Sequence, residues 1–243
     1  TRISEDTVFV VQLLRDQIGQ RVYPVHRLDR ATSGVLIFGK NAEASGLLGE
    51  QVMDKTVEKK YLAIVRGWVP ETGTVDYALD DPDSGKGPLQ AITHFKRLGT
   101  SEIDHPIGLR HKTARFSLIE AQLETGRRHQ IRKHFAHLRY PVIGDKRHGD
   151  VKHNSYFRDV FDLHRMFLHS MLLSFHHPYT NEPVSISAPI DEVFESTLRL
   201  LKLHEYCPAI VLQSIASSNL IAYPDSVPYP LAPFLHGDHI PLN

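Results

Sequence analysis

Three apolar stretches restrict the fold of this chain more than any other feature: KKYLAIVRGWV (59–69), ARFSLIEAQL (114–123) and MFLHSMLLSF (166–175). In an extended chain successive side chains point to opposite faces. In the first stretch Tyr61, Ala63 and Val65 therefore share one face, and Leu62 and Ile64 the other. A strand that is apolar on both faces needs cover on both. GVLIFGK (34–40), AITHFKRL (91–98) and EPVSISA (182–188) read as further strands, and RVYPVHRL (21–28) as a strand running into a polar turn. Helical spacing is rarer. Asn41 is placed to cap a helix reaching about Met53, and Asp191 to cap an amphipathic helix over 191–203. Several strands, few helices and hairpin-like spacing predict an α+β fold, with helices flanking a mixed, mostly antiparallel sheet.

The chain has 243 residues, enough for one sizeable domain. No apolar run approaches the length of a bilayer span, and no basic start followed by an apolar core resembles a signal peptide. The single cysteine, Cys207, excludes an internal disulfide framework and a thiolate-cluster zinc site. A cytoplasmic protein with no membrane partner is the expectation. From residue 206 the chain becomes proline-rich and holds no lysine or arginine. A domain over 1–205 and a poorly ordered extension over 206–243 are expected.

Lys and Arg balance Asp and Glu at 28 each, which does not suggest a nucleic-acid binder, but the charges are segregated. Residues 110–150 hold ten Lys or Arg against four acids, a net of +6, while residues 71–83 hold five acids and no base. One basic face on a neutral protein suits contact with a phosphate backbone; a merely solvated face explains it equally well.

VHRLDRATSG (25–34) sets Asp29 between Arg27 and Arg30, just before a turn. An aspartate after a strand is ordinarily a turn or helix cap. A carboxylate used for chemistry instead needs a cationic partner. Arg27 and Arg30 are near in sequence, and Arg132 is a distant candidate. In LETGRRHQIRKHFAHLRYPVIGD (123–145), Thr125 and Gly126 read as the entry to a helix that Pro141 stops. Ile131, Phe135 and Leu138 form its buried stripe, with Arg128 and Arg132 beside it and His129, Lys133 and His137 facing outward. The helix start beside Arg127 is a natural phosphate cradle. His129, His134 and His137 are five and three residues apart, a poor metal-ligand spacing on one helix, and no metal is expected.

Taken together, these blocks resemble one family. HRLDRATSGVLIFGK (26–40) is similar to the active-site motif of the RluA-type pseudouridine synthases, and KKYLAIVRG (59–67) to that family's tyrosine motif. LETGRRHQIRKH (123–134), YPVIGD (140–145) and RMFLHSMLLSFHHP (165–178) follow in the family's order, so the resemblance spans roughly residues 5 to 195. LLRDQIGQRVYPVHRLDR, KGPLQAITHFKRL and RHGDVKHN resemble the branch that modifies uridine 65 of tRNA.

The resemblance implies the pseudouridine synthase fold with a central catalytic cleft, and isomerisation of uridine in RNA without a metal or any other cofactor. It implies that Asp29 is the catalytic carboxylate, attacking the sugar, attacking the base or removing a sugar proton. Arg132 is implied to pair with that aspartate and keep it charged. Tyr61 is implied to stack on the uracil and to assist removal of the C5 proton. Arg27, Lys60, Arg127 and His129 are the candidate RNA contacts, RNA (tRNA above all) the expected partner, and no obligate protein partner is implied. A ribosomal-RNA synthase of the same family and an RNA-binding module without activity are the alternatives. A glycosidase is disfavoured, because no second acid lies near the Asp29 motif. The family's first strand, with its NKP-x-G block, does not appear in this sequence: either the sequence is a fragment, or the first strand is absent, which would expose a sheet edge.

Overall fold

The computed structural model describes residues 9–80, 87–108 and 111–212. The chain forms α1 (Val10–Ile18), β1 (Tyr23–Pro24), β2 (Ser33–Gly34), β3 (Phe38–Gly39), α2 (Ala42–Met53), β4 (Glu58–Arg66), β5 (Thr72–Asp76) and β6 (Ile92–Ile103). It continues through β7 (Ala114–Leu123), α3 (Gln130–His137), α4 (Val151–Phe161), β8 (Leu168–His176), β9 (Pro183–Ser187), α5 (Glu192–Leu200), a 3-10 turn (His204–Tyr206) and α6 (Ala209–Leu212). Among the described residues seven strands make one sheet in the order β2-β8-β4-β7-β6-β5, with β9 also on β8; β1 and β3 pair separately. Every pairing is antiparallel except β2 with β8, as the α+β reading expects.

The two-faced strand lies in the middle of the sheet, between β7 and β8. On one side Leu62 and Ile64 join Phe116, Leu118, Phe157, Phe167 and Phe194. On the other Tyr61, Ala63 and Val65 join Ile119, Ala121, Ile131 and Phe135. The first layer is closed by α4 and α5, the second by α3, and burial of these side chains supplies the main stabilising term. Asn41 and Asp191 cap α2 and α5 as expected, accepting the backbone N–H groups of Ala44 and Phe194 at 2.7 and 2.9 Å.

Four sequence expectations are corrected. The stretch 34–40 is not one strand. Gly34 pairs with β8, while Phe38 and Gly39 pair with β1, so the segment passes between two sheets. Likewise 21–28 is extended and paired only at Tyr23–Pro24. The helix expected from Thr125 begins only at Gln130, because Thr125 and Gln130 bind the backbone of Ile92 and tie this turn to β6. The chain also remains packed beyond 205: Cys207 and Val211 are buried in the main core. The rest of the expected extension, 213–243, lies outside the described residues. Among the described residues no helix is long and apolar enough to cross a membrane.

Gly34 shows how tightly β2 is seated. Its φ is +111°, and a Cβ there would lie 2.1 Å from the Ser170 carbonyl oxygen. Gly34→Ala is expected to cost about 3 kcal/mol or more, since backbone strain and a backbone clash add. Gly19→Ala, at φ +67° with open space around it, is expected to cost only about 1 kcal/mol. Urea unfolding of the two variants makes the comparison, and equal costs would contradict this seating of β2.

Candidate active site

Three pieces of chain far apart in sequence meet at one cleft of about 660 Å³: the turn before β2, one face of β4, and the start of α3. The turn is closed by the Thr32 N–H donating to the Asp29 carbonyl at 2.8 Å. Ser33 anchors its far end, accepting from Arg165 Nη2 at 2.9 Å and lying 2.9 Å from His169 Nδ1. His169 Nε2 lies 3.0 Å from the Ala188 carbonyl, so this ring donates there and accepts from the Ser33 hydroxyl. Asp29 thus projects from a turn that is bonded to the sheet behind it.

Its cationic partner comes from α3. Arg132 is 8% exposed, and its Nη1 donates to Asp29 Oδ2 at 2.9 Å. The rest of the guanidinium faces Asp145, with Nε and Nη2 donating to Oδ2 and Oδ1 at 2.8 Å each. Asp145 is 1% exposed and also accepts the backbone N–H groups of Arg147 and His148 at 2.9 and 3.1 Å. Burial would raise its carboxyl, but Arg132 and the two N–H groups outweigh burial and hold it below the usual carboxylate range. Burial likewise opposes the Arg132 charge, and the two carboxylates more than compensate. Neither flanking arginine takes this place: Arg27 and Arg30 are both exposed.

Tyr61 reaches the cleft from β4. Burial pushes its hydroxyl up to about 12; the neighbouring Ser170 hydroxyl opposes that and the Asp29 charge adds to it. The phenol therefore stays protonated at neutral pH. Two residues before it, on the same strand face, Lys59 also lines the cleft. Lys60 does not. It points to the opposite face, 3.1 Å from Glu58 and 3.9 Å from Glu120. The period of two that sorted the apolar residues of β4 was the signal that Lys59 shares a face with Tyr61.

Arg27, Arg127 and His129 all line the cleft. Arg127 is exposed, and its Nε donates to the Gln90 carbonyl at 3.1 Å. His129 is not on the outer face of a helix. It is the residue before α3, held at φ +58°, with Nε2 3.9 Å from Asp29 Oδ1. His134 is a core residue between Thr93 and the Tyr77 carbonyl, at 2.9 and 3.0 Å. Among the described residues no group of His, Cys, Asp and Glu side chains is placed to hold a metal ion.

A sequence model of the family described as RNA pseudouridylate synthase matches residues 3–137. The tRNA pseudouridine synthase C of Vibrio parahaemolyticus is 45% identical over 201 residues, covering 79% of this chain and 81% of that protein. The protein of the same name from Salmonella typhimurium is 41% identical over 203 residues, covering 80% and 78%. This chain belongs to the RNA pseudouridylate synthase family. The solved structure of human RNA Pseudouridylate Synthase Domain Containing 1 is 25% identical and superposes with a TM-score of 0.59 over 84% of this chain and 80% of that one.

As a pseudouridine synthase the protein is an isomerase acting on RNA. The reaction breaks the N1–C1′ bond of a uridine, turns the uracil and joins C5 to C1′, so one proton leaves C5 and one arrives at N1. The cleft holds a fixed carboxylate, a buried guanidinium beside it, an aromatic ring, and a cationic rim that includes Arg27, Lys59 and Arg127.

His26, at the edge of this cleft, ties its electrostatics to stability. Burial, then the Lys59 charge, lower its ring to about 4, against a backbone contact with Arg27 that raises it. Its Nε2 accepts the Ile37 N–H at 3.3 Å, which only the unprotonated nitrogen can do. Between about 6.5 and 4 the unfolded chain binds this proton and the folded chain does not. Stability is therefore full above about 6.5 and falls as pH drops towards 4. His134, His148 and His169 are also lowered and act in the same direction. His26→Gln, which keeps an acceptor, is expected to reduce the loss between pH 7.5 and 4.5 by about 2 kcal/mol, read by urea unfolding at the two pH values. An unchanged loss would show that His26 carries none of it.

Proposed function

We propose that this pseudouridine synthase modifies uridine 65 of tRNA, with Asp29 as its catalytic carboxylate. The observation that carries the residue assignment is the Asp29–Arg132 contact at 2.9 Å inside the cleft, with Tyr61 on the adjoining strand. The observation that carries the substrate is the similarity, at 41 to 45% identity, to proteins named tRNA pseudouridine synthase C. Arg132 orients Asp29 and offsets its charge in a poorly hydrated setting. Tyr61 offers its ring to the uracil, and its hydroxyl, staying protonated, is a poor base. Arg27, Lys59, Arg127 and His129 meet the backbone around the target.

A uridine within a stem must leave the stack to reach Asp29, at a cost of a few kcal/mol. Contacts between the cationic rim and phosphates offset that cost, and they position A-form RNA more than they read its sequence. No cofactor enters this scheme. The catalytic domain is assigned to run through Leu212, since Cys207 and Val211 pack in the main core.

Asp29→Asn is expected to lower pseudouridine formation in a tRNA transcript by about a thousandfold or more while RNA affinity stays within about threefold. Substantial remaining turnover would overturn the assignment of Asp29. Pseudouridine mapping of total RNA from cells with and without the gene tests the target. Loss of the signal at uridine 65 of tRNA is expected, and loss only from ribosomal RNA would overturn the choice of substrate.

A further inference from the structure

The isomerisation moves two protons, and a pair of imidazoles runs outward from the cleft wall that the roles above leave without chemical work. His129 Nδ1 lies 2.9 Å from His148 Nε2, with the rings 5.1 Å apart and 75° from parallel. This is an edge-on hydrogen bond and not a stack. One ring lines the cleft; the other sits on the turn after Asp145 and is half-exposed. The backbone is arranged for the contact. His129 holds a left-handed conformation at φ +58°, and the neighbouring turn is fixed by Asp145 accepting the His148 N–H. A side chain held by a rarely populated backbone conformation at a cleft invites a functional reading.

We propose that His129 and His148 form a two-imidazole relay that passes protons between a uracil bound beside Asp29 and bulk water. The relay rests on the reading of the cleft as the site of pseudouridine formation. Around His129 stand Asp29, Arg132, Arg128 and His148. Around His148 stand Asp145, Arg132, Arg147 and Lys133. Burial holds both rings below their ordinary value, opposed by Asp29 and Asp145 and aided by the surrounding cations, so both are neutral near pH 7 and each has one donor and one acceptor nitrogen. With a carboxylate 3.9 Å from Nε2, His129 keeps its hydrogen there and accepts at Nδ1 from His148 Nε2. His148 then presents an unprotonated Nδ1.

The proton balance closes without a co-reactant. For N1 to gain its hydrogen, His129 Nε2–H passes to N1, His148 Nε2–H moves to His129 Nδ1, and water protonates His148 Nδ1. When C5 gives up its hydrogen after joining C1′, the same three transfers run in reverse and water receives the proton. The relay returns to its starting state, and no bond changes other than those of the isomerisation. Tyr61 suits this task less well, because a hydroxyl held protonated is a poor acceptor for the C5 hydrogen.

The test is single-turnover pseudouridine formation by His148→Phe and His148→Gln, on tRNA transcripts carrying hydrogen or deuterium at uridine C5. The expected result is a rate about tenfold or more below wild type and a C5 isotope effect larger than that of wild type. RNA affinity should be unchanged, and added imidazole should partly restore the rate of His148→Gln. His148→Gln alone carries the measurement if the phenylalanine variant does not fold. Wild-type rates without a larger isotope effect would overturn the relay, as would slow turnover with neither an isotope effect nor a response to imidazole. A wild-type protein that forms no pseudouridine would instead overturn the reading of the cleft itself.

Discussion

The buried guanidinium of Arg132 is the interaction on which the rest of the site depends. Two of its nitrogens meet Asp145, and a third is left to meet Asp29. Taking such a charge out of water costs several kcal/mol unless it is paired and fully hydrogen-bonded. Asp145 supplies that pairing, and is itself satisfied by two backbone N–H groups. The planar fork matters as much as the charge, since a lysine could not face both carboxylates with fixed geometry. Asp29 receives a partner whose position was already set by contacts it does not share.

Those contacts reach into the framework. Asn154 of α4 accepts the Gly144 N–H and donates to the Asp145 carbonyl, both at 2.8 Å. Gly144, at φ +79°, passes so close to Arg165 that a Cβ would lie 1.8 Å from its carbonyl oxygen. Arg165 in turn donates to Ser33, four residues after Asp29. The carboxylate and its cation are therefore held from opposite ends by a connected set of hydrogen bonds and one tight backbone contact. Arg132 and Asp29 can then meet in a cleft that is open to a large substrate, with their own movement restricted.

The parts of the fold set by local pattern were legible in the sequence. Both faces of β4, the span of β7, and the Asn41 and Asp191 caps follow from alternation and capping chemistry alone. What was not legible depends on partners far along the chain. The break in 34–40 comes from Gly34 pairing with Ser170, which no local signal announces. Helix α4 went unread although Asp150 caps it by accepting the His153 N–H, because its only fully buried side chain is Phe157. In the cleft, Asp29, Tyr61 and Arg132 were singled out through motif resemblance, and the distant Arg132, rather than a flanking arginine, stands 2.9 Å from Asp29. Asp145 lay within a quoted motif, but its part became visible only once α3 and the turn after Val142 were side by side. His148 was hidden for the same reason.

The claim that Asp145 serves the reaction through Arg132 is tested most directly by a double-mutant cycle on Asp145→Asn and Arg132→Gln, read as single-turnover rates of pseudouridine formation. Where two residues act as one unit, losses do not add. The account predicts that each single variant is slow and that the double variant is no slower than Arg132→Gln alone. Losses that multiply would contradict it, showing that Asp145 acts on the chemistry by a route of its own.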